Sequence, residues 1–234
     1  MGLLDTLLGR TKPVRANLDA LFALPSAAVT LETAAGLVLS GRAGVCWKPP
    51  AGQQAADVQH EIRDLLDIPE DSHDPGGVPT AEALQGGAAT ERPATGDPSA
   101  AGTAPAARET PTIGRLTQAQ DTYGYQWLLL DDPETEDLVT RVHMVNSTLT
   151  DNGWGPQLLC SVFGLVPGPE AGGDAHPMYL VYLYKRGTFY PFAPQGGQRR
   201  DSELELRVRA VASADLPVEQ DVTRWFPLWD LPVR

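Results

Sequence analysis

His60 and Glu61 begin like the H-E-x-x-H helix of a zinc protease, in which two imidazoles one turn apart hold the metal. Asp64 stands where the second histidine is required, and one imidazole does not make that site. His73, His143 and His176 do not pair at ligand spacing either. The two cysteines, Cys46 and Cys160, each sit in an apolar run, GVCW and LLCSVF. That setting reads as two buried, reduced strand thiols; a structural disulfide between them would need an oxidising compartment. The chain has no C-x-x-C, no G-x-S-x-G, no G-x-x-x-x-G-K-[ST] and no strand-linked G-x-G-x-x-G. Dithiol redox, serine-hydrolase and phosphate-cradle chemistries therefore lack their local signatures. The expectation is a chain with no catalytic residue, no metal site and no cofactor.

Two weaker groupings remain. His143 and Asn146 lie three apart, which places them on one helix flank. Such a pair can face a partner or a small ligand, or it can simply fix a neighbouring loop. Gly153-Trp154-Gly155-Pro156 follows that helix. A Gly-rich turn either approaches a ligand closely or permits positive φ. His143, Asn146, Gly153, Trp154 and Gly155 thus form a candidate polar site, usable by a small-molecule enzyme of unstated reaction. The acidic run Asp131, Asp132, Glu134, Glu136 and Asp137 reads as helix capping rather than as a metal site. The aromatic residues Tyr179, Tyr182, Tyr184, Phe189, Tyr190 and Phe192 could stack bases, but Lys and Arg are sparse around them. A sheet core with one exposed aromatic face, offered to a protein, is the expectation.

The opening MGLLDTLLGR puts Leu3, Leu4, Leu7 and Leu8 on one helical face, with Arg10, Lys12 and Arg15 just beyond. Peripheral anchors combine apolar insertion with flanking basic residues. These leucines are candidate contacts to a partner or a membrane, with docking onto the chain's own domain as the alternative. MGLLDT also matches the myristoylation pattern, but the Ala, Gly, Pro and Arg richness looks bacterial, where that modification is not expected.

Positioning these groups requires elements, and the sequence suggests them unevenly. Asn17–Leu24 reads as a short helix stopped by Pro25. Ala28–Glu32, Gly36–Ser40 and Gly44–Lys48 read as strands. In Gln53–Asp67, Val58, Ile62, Leu65 and Leu66 recur at helical spacing. Tyr123–Leu130 reads as a strand. Asp132 and Pro133 then open a helix to about Thr150, with Leu138, Val142, Val145 and Leu149 inward and Asn152-Gly153 at its end. Leu158–Val166 reads as a strand, and Met178–Tyr184 with Thr188–Phe192 as a hairpin through Lys185-Arg186-Gly187. Glu203–Val211 alternates strictly and reads as a strand. Pro217 opens a last helix, with Val218, Val222, Trp225, Phe226 and Trp229 on one side. Helices and antiparallel strands in runs, without βαβ alternation, argue for an α+β fold.

From Pro69 to Arg115, Pro, Gly, Ala, Thr and Asp dominate and large apolar residues almost vanish. Such a segment cannot bury enough surface to offset its ordering entropy. The expected organisation is an N-terminal α+β block over 1–68, a linker over 69–115 and a C-terminal α+β block over 116–234, the two blocks packing as one domain. Replacing 69–115 by a short Gly/Ser linker is expected to leave the thermal midpoint within a few degrees; loss of cooperative unfolding would show that the segment packs.

The chain has 234 residues, 42% of them apolar, with five Trp, six Tyr and five Phe, enough to build a core. A net charge of −12 argues against a nucleic-acid partner and against strong attraction to anionic lipid. The opening lacks a basic region followed by a long apolar stretch, and no apolar run approaches the roughly 20 residues of a membrane span. A cytoplasmic protein, at most peripheral to the inner membrane, is the expectation.

Three stretches carry a resemblance: MGLLDTLLGRTKPVRANLDALFALPSAAVTL, YGYQWLLLDDPETEDLVTRVHMVNSTLTDNGWGPQLLCSVFG and YLVYLYKRGTFYPFAP. Together they resemble the PspA-associated protein PspAB family of actinobacteria, over nearly all of the chain outside the linker. The resemblance implies a non-enzymatic accessory protein of the phage-shock envelope-stress system. It implies a protein partner of that system, with a membrane metalloprotease of the HtpX type in its gene context. It brings no catalytic residue. The order of elements in the second block also looks like the YbjN or secretion-chaperone type of α+β fold, which would suit holding an unfolded partner segment.

Overall fold

The computed structural model describes residues 16–48, 55–66, 116–169 and 178–233. The opening leucines and the 69–115 segment lie outside the described residues. The first described element is a 3-10 turn, Leu18–Ala23, that runs directly into helix α1, Leu24–Ala35. Pro25 therefore begins a helix instead of stopping one, because its missing N–H falls in the first turn, where no intrahelical partner exists. The strand expected at Ala28–Glu32 is part of this helix. Leu24, Ala27 and Leu31 recur at three and four residues and are fully buried, while Val29 between them is 63% exposed. Gly36, at φ 66°, closes the helix by donating its N–H to Glu32 and Leu31. The run Leu18–Ala35, with mean hydropathy 1.2, is long and apolar enough by composition to cross a membrane, so the expectation of no such stretch needs correcting. It packs against the rest of the fold through Leu21, Leu24, Ala27 and Leu31, and 22% of the run is buried.

The two short strands expected next are one strand, β1, Leu37–Trp47. Its pairing shifts between Leu39 and Ala43, around Gly41 at φ 75°, where a Cβ would come within 2.8 Å of the Asp132 carbonyl. Helix α2, Ala55–Leu65, buries Ile62, and Arg63 bonds Gln118. Strands β2, Leu116–Gln120, and β3, Gln126–Asp131, form a hairpin; β2 is a strand the sequence reading did not single out, and the strand expected from Tyr123 starts three residues later. Helix α3, Thr135–Asp151, buries Leu138, Val142, Val145 and Leu149, the stripe legible in the sequence. Its first helical residue is Thr135, and Asp132 caps from outside by accepting the Glu134 N–H and pairing with Arg141 at 2.9 Å.

Strands β4, Leu158–Pro167, β5, Met178–Leu183, and β6, Thr188–Phe192, follow. They complete a six-stranded antiparallel sheet in the order β2-β3-β1-β4-β5-β6, and with the packed helices this is an α+β fold. A two-residue ladder, β7 Pro194–Gln195 with β8 Arg199–Arg200, leads to α4, Ser202–Ala212. This helix corrects the strand expected at Glu203–Val211: Asp201 accepts the Leu204 N–H as an N-cap, and Glu205, Val208 and Ala212 turn inward. The last expected helix is likewise absent. After Pro217 only a 3-10 turn, Val222–Arg224, is regular, and Pro227 and Pro232 prevent continuation of the helix.

The sheet is covered differently on its two faces. On one, Asn146 of α3 bonds Ser161 of β4, and Tyr182 of β5 bonds the Asn17 carbonyl, so the helices lie there. On the other, the tail crosses the strands as a strap. Trp225 stacks on Tyr190, Trp229 meets Phe192 edge-on at 5.3 Å, and Tyr179 bonds the Val233 carbonyl. The strap begins by extending the sheet at β6: the Phe189 N–H donates to the Pro217 carbonyl and the Phe189 carbonyl accepts the Glu219 N–H, a parallel bridge opposite Val218.

Glu219 pins that edge. Burial alone would raise its carboxyl pKa, but the Asp221 N–H, the Arg186 guanidinium and the Thr188 hydroxyl outweigh burial and hold it below the usual carboxylate value. A depressed folded pKa contributes stability that is present above the unfolded value, about 4.3, and lost as pH falls through the folded one. Glu219→Gln is expected to flatten the acid limb of the stability–pH curve below about pH 4–5. An acid limb identical to the parent's would place the titration elsewhere.

Candidate functional site

The strap does not close down evenly. Between Phe226–Trp229 and the sheet it leaves a cleft of about 470 Å³, walled by Trp127, Leu159, Leu183 and Tyr190 and floored by Cys46 and Cys160. The mouth is flanked by Tyr123 and Phe226, 55% and 58% exposed. Register explains the floor. Cys46 on β1 faces Cys160 on β4, and that row continues into Trp127 on β3 and Leu183 on β5. Residues directly opposite across a ladder share a face, so these side chains meet beneath the strap.

The carboxylate and the buried phenol beside the cleft are already bonded within the fold. Asp121 accepts the N–H groups of Tyr123 and Tyr125, both at 2.9 Å, and the Trp127 indole N–H at 3.0 Å. This carboxylate builds the β2–β3 turn, completed by Gly124 at φ 82°. Burial pushes the Tyr190 phenol well above its ordinary pKa, and the phenol donates to the Phe226 carbonyl at 2.8 Å. The Cys46 thiol is pushed up by its hydrogen bond with Cys160 and then by burial, so it stays protonated. The cleft therefore offers contact area and two thiols, with no unsatisfied charge to recognise an ion.

The residues grouped from the sequence do not converge on a second site. Asn146 is buried and bonds the Val142 carbonyl at 2.8 Å and Ser161 at 3.0 Å, tying α3 to the sheet. His143 instead meets the 3-10 turn: its ring lies 4.7 Å from Phe22, and its Nε2 is 3.9 Å from Asp19. Gly153 adopts φ 89° to end α3. Trp154 is buried edge-on against Trp47. Gly155 faces the Tyr184 hydroxyl, which bonds Thr150 at 2.7 Å. Among the described residues, no group of three or more His, Cys, Asp or Glu is arranged to hold a metal ion.

A family model described as PspA associated protein B matches residues 1–79 and 106–233. The chain belongs to this family. No curated protein and no solved structure matches it. The PspA associated protein B match includes the opening leucines and passes over 80–105, inside the segment read as a linker. In this member of the family, the cleft is built from residues that no sequence motif singles out. The one available signal was Asp121-x-x-Gly124, an Asp and a Gly at the two ends of a turn.

Proposed function

We propose that this protein is a non-enzymatic adaptor in a PspA-type envelope-stress response, acting in the cytoplasm by protein–protein contact at or near the inner membrane. The observation that carries the reading is the cleft. Its carboxylate, Asp121, and its buried phenol, Tyr190, are bonded within the fold, and its aromatic mouth is open, so it suits the apolar side chains of a protein segment. The family's name directs the choice of partner to PspA. The opening leucines, Leu3, Leu4, Leu7 and Leu8, supply a second contact, to PspA or to the membrane that PspA serves. The HtpX-type protease is a further protein of the same context.

The test is titration of the full chain with purified PspA, followed by the fluorescence of Trp127 and Trp229. Tyr123→Ala and Phe226→Ala remove exposed rings and should leave the fold intact. Each is expected to weaken binding about tenfold, equivalent to about 1.4 kcal/mol. Unchanged affinity in both would remove the cleft from the interface. Co-sedimentation of parent and Leu4→Asp/Leu8→Asp with anionic liposomes, with and without PspA, separates the second contact; equal sedimentation throughout would rule it out.

A further inference from the structure

We propose that Cys46 and Cys160 are a redox modification site: a peroxide entering the cleft converts them to an intramolecular disulfide across β1 and β4. The register carries this. The two residues are direct partners in an antiparallel ladder, both buried and both unbridged. Directly opposed Cα atoms lie about 4.5 or 5.5 Å apart, depending on the type of pair. Both separations fall inside the disulfide range of about 4.4–6.8 Å, so either pair type can be bridged without moving a strand far. A pairing irregularity between Cys46 and Trp47 gives β1 local play at that point.

Access comes from the cleft. The thiols are only 3% and 5% exposed, but both line its floor, and peroxide is a small, neutral molecule. In the first step one sulfur attacks a peroxide oxygen. The O–O bond breaks, an S–O bond forms, and water leaves. In the second step the neighbouring sulfur attacks that sulfenic sulfur; the S–O bond breaks, the S–S bond forms, and a second water leaves. In sum, two thiols and one hydrogen peroxide give one disulfide and two waters. The resolving thiol is already adjacent, so the sulfenic acid is captured before further oxidation. The protonated state of Cys46 sets the tempo: oxidation is slow at neutral pH and accelerates as pH rises. The site thus answers sustained oxidant rather than background levels, and in a reducing compartment it rests as thiols.

The experiment treats the reduced full chain with hydrogen peroxide under native conditions and follows intact mass and free thiols. The expected result is a loss of about 2 Da per monomer, simultaneous loss of both thiols, a Cys46–Cys160 linked peptide and reversal by a dithiol reductant. In Cys46→Ser and Cys160→Ser, the remaining thiol should gain oxygen instead. The rate should rise in proportion to peroxide concentration. A rate that levels off at the unfolding rate would refute entry through the cleft. Independent gain of oxygen at the two cysteines of the parent, or disulfide-linked dimers in place of the internal bond, would overturn the pairing.

Discussion

Trp225→Ala is expected to lower the unfolding free energy by about 3–5 kcal/mol, the range for truncating a buried Trp. Its ring is buried and stacks on Tyr190, 6.2 Å between centroids. Its indole N–H donates to the Glu219 carbonyl at 3.0 Å, and its own carbonyl accepts from Arg200 at 2.5 Å. Truncation leaves a hole between strap and sheet and frees the Glu219 carbonyl. Trp225→Phe keeps the stack but not the indole bond, so it should retain most of the stability. Denaturant unfolding reads both variants. A Trp225→Ala midpoint equal to the parent's would mean that the strap contributes nothing to the cooperative unit.

Glu205→Ala should cost about 3 kcal/mol, at the lower end of the range for breaking a buried ion pair. Glu205 is almost fully buried, and its Oε1 accepts the Ala193 N–H at 2.9 Å and the Arg200 Nε at 2.8 Å. Arg200 in turn lies over Phe192 and donates to Trp225. Removing the carboxylate strands a guanidinium that is only 21% exposed and leaves the Ala193 N–H without its acceptor. Glu205→Gln keeps an acceptor oxygen and should cost less. Arg200 bonds the main-chain carbonyl of Trp225, which Trp225→Ala retains, so the link between strap and helix is read by a double-mutant cycle of Arg200→Ala with Glu205→Ala. Additivity of those two losses would show that Arg200 and Glu205 do not act as a unit.

The elements that could be read from sequence were those whose pattern and chemistry agreed. MYLVYLY, a Lys-Arg-Gly turn and TFYPF make a hairpin by any criterion, and the α3 stripe has a single period. Glu203–Val211 misled because Leu204, Leu206, Val208 and Ala210 fall at every second position, while the inward helical positions are Glu205, Val208 and Ala212. A buried carboxylate in the stripe hides a helix from any reading that sorts charge to the surface. The tail misled in the opposite way: Val218, Val222, Trp225 and Trp229 keep helical spacing, but Trp225 and Trp229 anchor an extended strap interrupted by Pro227. The cleft was the least legible. Cys46 and Cys160 looked like separate buried strand residues, which they are, and only the pairing of β1 with β4 puts them side by side.

The position of β1 between β3 and β4 also has a consequence in time. As the chain leaves the ribosome, β1 emerges with both edges bare, and neither neighbour exists until translation has passed from Trp47 to Gln126 and on to Leu158. Eleven residues of ungated strand wait through that interval with α1 as their main cover. Completion of the sheet is thus tied to the last third of synthesis, and until then β1 keeps unpaired edges of the kind that favour non-native pairing.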